Sequence, residues 1–401
     1  MSSPQVPVPA HVPAHLIHDF DFYNIPDAGD DVQAAWHKLH AQAPDIFWTP
    51  RNGGHWIATR AEDIDVMQVD HERFSHAKFM LPHIDLPFPA IPLCLDPPEH
   101  GPFRALLTPA LSPRAVQKLS EIARGVAIEL IDGLKPKGSC EFVGDFAKVL
   151  PIVVFLGIVD LPAEDRHQLL PHADVIVRSA DMQERLEANK AISAYLMQWI
   201  QKRSQEPGDD LISKIATAKV NGRPLTPPEV FGMCSLMLVG GLDTVAGMLA
   251  FTARYLAEHP EQRKELIDNP ELLPVAIEEI MRRSALPNTA RVITHDFEYK
   301  GIQFKQGDMI QLPKALYNLD ERKISCPLTV DFHRPQPIPN ATFGAGPHKC
   351  PGGPLARNEI RIFIEEWLKR IPDFRIKTGF EVQTSGGMVN GLHALELEWD
   401  V

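Results

Sequence analysis

Phe343-Gly344-Ala345-Gly346-Pro347-His348-Lys349-Cys350-Pro351-Gly352-Gly353 is the stretch of this chain whose residue types most plainly add up to chemistry. One cysteine sits among glycines in an otherwise irregular loop, and a helical pattern opens at Gly353, directly after the thiol. A helix N-terminus carries unpaired N–H groups and a partial positive charge, which lower a thiol pKa and hydrogen-bond a sulfur anion. Glycines before and after the sulfur let a flat, bulky group approach the backbone, with Phe343 covering it from the side. An ionised sulfur, held off water and tuned by N–H groups, is what an axial thiolate to haem iron requires. The bland alternative is a small buried hydrophobe, the usual fate of a free cysteine. The F-x-x-G-x-H-x-C-x-G spacing is what separates the two.

Two further groups are anomalous where they stand. Gly240-Gly241-Leu242-Asp243-Thr244 falls halfway along a long apolar helical pattern. Each glycine inside a helix costs about 1 kcal/mol relative to alanine, so something must favour the pair. A helix kink with Thr244 bonded back to its own turn is one account. Glu279-Ile280-Met281-Arg282 sets a carboxylate and a guanidinium three apart on one helix face, a spacing that any solvated face also produces.

The Cys350 loop resembles the haem-binding signature of the cytochrome P450 family, matching it at Phe343, Gly346, His348, Cys350 and Gly352. Glu279 and Arg282 are similar to that family's E-x-x-R motif, and Arg334, in Phe332-His333-Arg334-Pro335, stands where its third member is expected. The resemblance implies that this trio is structural and locks the scaffold around the thiolate loop. It implies haem b as cofactor, with Cys350 as the metal ligand. Gly240 and Gly241 would leave room beside the haem for dioxygen. Thr244 would hydrogen-bond the activated oxygen, Asp243 would relay protons from solvent, and thiolate electron density would favour O–O cleavage. His100 and Arg104, in His100-Gly101-Pro102-Phe103-Arg104, resemble the family's H-x-x-x-R signature; with Arg291 and His348 they form the expected cationic clamp for the haem propionates.

The likeness runs over nearly the whole chain from about residue 30 and is closest to the soluble bacterial camphor-hydroxylating members. LMLVGGLDTV (Leu236–Val245), VNGRP (Val220–Pro224), DPPE (Asp96–Glu99) and IPDF (Ile371–Phe374) carry it. It implies a monooxygenase acting on a compact terpenoid, with electrons from a 2Fe-2S ferredoxin and its NADH-dependent reductase. One departure falls in the loop over the substrate: where those members hold a tyrosine hydroxyl, this chain has Phe88, and a nearby phenylalanine becomes Ala90. Losing the donor removes roughly 1 kcal/mol of orienting energy. The aligned pocket positions are Phe79, Phe88, Ala90, Leu236, Val239, Pro287 and Val389, nearly all apolar. The expected substrate is therefore a somewhat longer terpenoid or norisoprenoid, such as an ionone, held mainly by shape, with camphor as the alternative. Arg178 stands where it can pair with Asp243 and gate the proton path, or serve only as a solvated helix-end residue. Arg104, Lys349, Arg357 and Arg361, with only Glu359 against them, offer a basic patch behind Cys350 for an acidic ferredoxin. A haem-thiolate protein that uses peroxide or isomerises its substrate is the main rival, and the intact Asp243-Thr244 pair argues against it. A haem-based sensor has no need of that pair. A cysteine hydrolase lacks a visible orienting acid.

The elements that must position these groups are mainly helical. Thr226-Pro227-Pro228-Glu229 is a capping box with proline at the first helical position, and the pattern then runs to Glu258, ahead of Pro260. At 1.5 Å per residue this is a rod of roughly 45–50 Å that crosses the molecule. Further helices are expected over 33–43, 102–108, 113–133, 163–170, 182–204, 209–218, 269–284 and 353–371, with short strands near 55–59 and 291–305. On the last helix, Leu355, Ile360, Phe363, Ile364, Trp367 and Leu368 fall on the buried side. Prolines crowd residues 75–98 and rule out regular helix there, which predicts a long shaped loop. Residues 1–30 read as an arm and 31–401 as one haem-thiolate domain, mainly α with small antiparallel sheets, the haem lying between the long helix and the cysteine loop.

Composition sets the outer limits. The 401 residues carry a formal net charge of −12, which argues against electrostatic binding of nucleic acid. A hydrophobic fraction of 44% with 23% charged residues is that of an ordinary globular protein with a large core. Five scattered cysteines without a C-x-x-C pair form neither a disulfide framework nor a zinc ribbon, and point to a reducing cytoplasm. The first twenty residues lack the pattern of a secretory signal. The apolar run 233–251 carries Asp243 at its centre, so no membrane span is expected.

Overall fold

The computed structural model describes residues 3–85, 88–178 and 182–401, with side chains set aside at 163, 170, 173, 174, 176–178, 182 and 185. Its axis is the helix Pro227–Glu258, with the bounds the sequence predicts. The Glu229 carboxylate accepts the Thr226 N–H at 2.7 Å and closes the capping box. The other end stops at His259, whose N–H reaches the Tyr255 carbonyl at 3.0 Å before Pro260 starts a new helix. This helix is long and apolar enough to cross a membrane, with a mean hydropathy of 1.7 over its most apolar window. Here it is wrapped by the core: Leu249, Ala250, Ala253 and Leu256 are fully buried.

Below it lies the helix Gly353–Arg370, which buries every one of the six apolar residues expected on its inner side. Phe363 and Trp367 meet Phe142 at ring distances of 5.1 and 5.2 Å, and the helix Pro113–Leu134 covers the far flank. Its neighbour Val149–Ile158 has no counterpart among the expected helices. It is apolar on every side and almost wholly buried, so it carries no amphipathic period to read. A single π-helical turn, Val143–Ala147, leads into it. Two other helices differ from expectation at their ends. The segment 33–43 splits into Val32–His37 and Leu39–Gln42, and the helix expected to end at 170 continues as Arg166–Arg178.

Most strands pair antiparallel, in small sheets. The largest has five strands in the order Ile46–Thr49, His55–Ala58, Met309–Pro313, Asn288–Ile293, Phe74–Ser75, and its one parallel pair joins His55–Ala58 to Met309–Pro313. Its register matters for function. Ile310 opposes Arg291, and Ser75 opposes Val292, so His76 leaves the sheet beside Arg291 while Lys314 follows at the end of the central strand. The proline-rich stretch 76–99 is irregular over its described residues, as expected. Residues 3–30 form an extended arm with one short 3₁₀ turn, anchored in the core by Phe20, Phe22 and Ile25.

Candidate active site

The cysteine loop is held by backbone bonds that require glycine. Gly344 and Gly346 have φ of 67° and 65°, and a Cβ on Gly346 would press on Val69 at 3.1 Å. The Cys350 N–H donates to the Phe343 carbonyl at 2.8 Å, which folds the loop back under the sulfur. A Cβ on Gly353 would crowd the Phe343 ring at 3.3 Å. Cys350 is exposed because it opens on a cleft, although protein surrounds it closely. Burial pushes its thiol pKa up, against the N–H groups of Gly352 and Gly353 and the charges of Arg104 and Arg357, which lower it. The helix end therefore does not win alone, contrary to the expectation from sequence. The free thiol stays protonated at neutral pH, and a coordinating metal deprotonates such a group outright.

Facing the sulfur across the cleft is the middle of the long helix. Two adjoining cavities of about 190 and 270 Å³ share Gly240, Thr244, Val245, Phe343, His348 and Cys350 as walls. A Cβ on Gly240 or Gly241 would meet nothing within 4 Å, so the glycines open space on the cleft side. The backbone stays α-helical through them. The Thr244 hydroxyl donates to the Gly240 carbonyl at 2.8 Å, which leaves its lone pairs free to accept from a guest in the cleft. Asp243 is exposed on the flank of the same turn and is not a cleft-lining residue. Burial by its surroundings raises its pKa, with His393 and Lys148 acting to lower it. The expected partner Arg178 has its side chain outside the described residues.

At one end of the cleft the structure gathers cations with few anions. His348 packs its ring against those of His76 and His100 at tilted angles, with ring centres 3.8 and 4.5 Å away. Both ring nitrogens of His348 and Nδ1 of His76 are buried without a hydrogen-bond partner. Burial, with His348 and Arg104 nearby, pushes His100 down to about 4. Burial likewise takes Arg291 down to about 9 and, with the Arg291 charge, Lys314 down to about 7. Asp96 faces them with a carboxylate oxygen 3.6 Å from His348 Nε2. Arg104 reaches over to the Lys349 carbonyl and also lines the cleft. Desolvated bases with orphaned donors fit a group that brings negative charge, and the two propionates of haem are such a group. The flat cleft above Cys350, open at Gly240 and Gly241, fits its ring.

Glu279, Arg282 and Arg334 meet beneath this loop. Arg282 donates to both Glu279 oxygens at 2.7 and 3.1 Å, and Arg334 Nε lies 2.9 Å from Oε2. Arg282 also holds the carbonyls of Asn318, Pro327 and Thr329, tying three segments together.

Other expected positions are scattered. Leu236 and Pro287 line the cleft, and Val389 bridges to Pro287 without reaching the wall. Phe79, Phe88, Ala90 and Val239 do not line it. Phe88 packs against Phe231 with ring centres 4.3 Å apart in a second apolar cluster, Phe79 offers its carbonyl to Ala290, the Ala90 carbonyl is taken by Cys94, and Val239 is 60% exposed. The basic patch is smaller than expected, because Arg104 faces inward and Arg357 is paired with Glu278. Glu359 does not oppose it either: it is fully buried, lines the cleft, and burial pushes its pKa up to about 8. His76 and Lys314 are additions that the sequence reading missed. A lone lysine within Ile310-Gln311-Leu312-Pro313-Lys314-Ala315-Leu316 was the available signal for one of them.

Comparison with known proteins agrees with this geometry. Residues 154–383 match the family model described as Cytochrome P450. The chain is 37% identical over 403 aligned residues to a protein named probable cytochrome P450 127A1 from Sinorhizobium fredii, covering 98% of this chain and 97% of that one. Nocardicin C N-oxygenase of Nocardia uniformis subsp. tsuyamanensis is 30% identical over 86% of this chain and 89% of its own. Among solved structures, cytochrome P450 CYP101C1 superposes with a TM-score of 0.90 at 39% identity, covering 98% of this chain and all of that one, and CYP101J2 with 0.89 at 37%, covering 99% and 100%. Members of this family are oxygenases that bind haem b through a cysteine thiolate, and the cleft above Cys350 has the shape and the donors for it: the chain belongs to the cytochrome P450 family, in its P450cam-like class.

Proposed function

We propose that this P450 monooxygenase hydroxylates a small apolar terpenoid or norisoprenoid of the ionone type, with Cys350 as the iron ligand. Haem b, when bound, supplies the iron centre at which dioxygen is activated. The observation that carries the reading is the juxtaposition of Cys350, the open turn Gly240–Thr244 and the anion-seeking cluster of His76, His100, Arg104, Arg291, Lys314 and His348 around one cleft. His100, Arg104, Arg291 and His348 hold the propionates, joined by His76 and Lys314. Thr244 keeps its own proton on the Gly240 carbonyl and accepts a hydrogen bond at the reacting centre. Asp243, raised by burial, exchanges protons between solvent and that turn. The substrate sits against Leu236, Val245, Leu286 and Pro287, walls without charge.

Electrons come from a 2Fe-2S ferredoxin and its NADH-dependent reductase, received at the exposed Lys349 and Arg361 beside the cysteine loop. Five free cysteines support a cytoplasmic setting. Leu236, Val245, Leu286 and Pro287 offer no hydroxyl for a substrate ketone, so shape decides the fit. A spin-state titration of the haem-loaded protein with camphor and β-ionone side by side tests this: ionone binds more tightly, and tighter camphor binding overturns the substrate reading.

A further inference from the structure

A cluster far from the cysteine loop in sequence has polar atoms that protein alone leaves unsatisfied. His37 and His40, three apart across the break between two short helices, set their rings edge to face with centres 5.3 Å apart. The His40 side chain is 2% exposed. Its Nε2 lies 2.9 Å from the Thr59 carbonyl oxygen. A carbonyl only accepts, so Nε2 carries the proton and a neutral ring turns a bare lone pair outward at Nδ1. That Nδ1 is buried without a hydrogen-bond partner, and Glu321 Oε2 lies 3.2 Å from it. A lone pair against a carboxylate oxygen at this distance is repulsive unless something positive lies between them. His37 Nε2, also buried and unpartnered, lies 3.8 Å from the same oxygen.

We infer that His37, His40 and Glu321 form a binding site for one divalent cation of the zinc class, separate from the haem cleft. The three donor atoms all lie within 4.8 Å of one another. Tetrahedral zinc with bonds of about 2.0–2.1 Å has ligand–ligand edges of about 3.3–3.4 Å. The His40–Glu321 edge, at 3.2 Å, is already close to that length, and rotation of partly exposed His37 and exposed Glu321 closes the rest. Outer partners are in place too. Thr59 fixes the His40 tautomer, and Arg60 donates to Glu321 Oε1 at 2.8 Å, which leaves Oε2 for the metal. Arg60 brings positive charge close, but it is also bound by Asp45 and Asp320, each at 3.0 Å. Two imidazoles and one carboxylate suit zinc, whereas calcium and magnesium seek oxygen cages. Water completes the coordination, since Glu321 is 49% exposed. The bound ion fastens the helices of residues 32–42 to the segment after Lys314–Asn318.

The test uses the full-length, haem-loaded chain without an affinity tag, stripped by a chelator and titrated calorimetrically with zinc chloride. A crystal soaked in millimolar zinc and measured at the zinc absorption edge locates the ion. One zinc per chain among these three residues is expected. His37→Ala, which removes a partly exposed ring, should weaken binding at least tenfold, and Glu321→Gln should do the same. Absence of an anomalous peak at this position overturns the inference, as does a zinc affinity in both variants unchanged from that of the wild type. So does a His40 ring found doubly protonated by nitrogen NMR with and without zinc, which would make the cluster a plain ion pair.

Discussion

Glu279→Gln isolates the lock beneath the cysteine loop, because it keeps the shape of the side chain and removes only its charge. In the wild type one carboxylate, wholly buried, accepts Arg282 at 2.7 and 3.1 Å and the Asp331 N–H at 3.0 Å, with Arg334 Nε 2.9 Å away. The amide leaves two guanidinium groups sharing a neutral partner and turns an NH₂ toward donors. Breaking a buried pair in this way costs about 3–5 kcal/mol. With roughly 2.1 cal/mol/K of unfolding entropy per residue, a chain of 401 residues loses about 5 °C in Tm for a loss near 4 kcal/mol. That cost is a large share of a typical stability of about 5–15 kcal/mol, so haem loading during expression should also fall. Burial raises the Glu279 pKa, but its bonds to Arg282, Asp331 and Arg334 outweigh that and hold it below the usual carboxylate range. A group depressed in the folded state contributes stability above its unfolded pKa of 4.5 and loses it as pH falls through the folded value. The gap between wild type and variant should therefore be constant at neutral pH and narrow in acid. Calorimetric melting of both haem-loaded proteins across pH, with the haem-to-protein ratio, measures all three. A Tm change below about 1 °C at neutral pH with unchanged haem content would refute the reasoning.

Lys314 is held near 7 in the fold but near 10.5 when unfolded, so between those values the unfolded chain binds more protons and haem-free stability should rise with pH. Lys314→Met should flatten that rise by up to tenfold in the folding constant per pH unit and weaken haem retention, read by denaturant titration and haem transfer. Thr244→Val should keep NADH-driven oxygen uptake while lowering product formed per NADH, and Asp243→Asn should slow turnover by about 10²-fold, both measured with a reconstituted ferredoxin system. A Cβ on Gly232 would overlap the Pro89 carbonyl oxygen, so Gly232→Ala should push the loop 88–90 off the long helix and weaken substrate binding several-fold in spin-state titrations.

Much of this was legible where the sequence carried a local signal. The capping box at Thr226 and the stop before Pro260 bounded the long helix without error, and the glycines around Cys350 announced a loop built for close approach. The helix Val149–Ile158 was missed because a segment buried on all sides has no polar face to set its period. Glu359 was read as a surface charge, yet it sits four residues after Leu355, on the inner face of the same helix. His76 and Lys314 join the cleft only through sheet register, with Ser75 opposite Val292 and Met309–Pro313 paired to Asn288–Ile293, and no local pattern encodes that. The pocket positions carried over by alignment proved least transferable, since where Phe88 or Val239 points depends on how the loop and the long helix pack in this chain.

The central claim is that Cys350 supplies a thiolate to haem iron. The absorption spectrum of the dithionite-reduced, carbon monoxide-bound protein tests it most directly. The account predicts a strongly red-shifted Soret band, carried by thiolate electron density, that disappears in Cys350→Ser. An unshifted band from a folded, haem-loaded wild-type sample would contradict it.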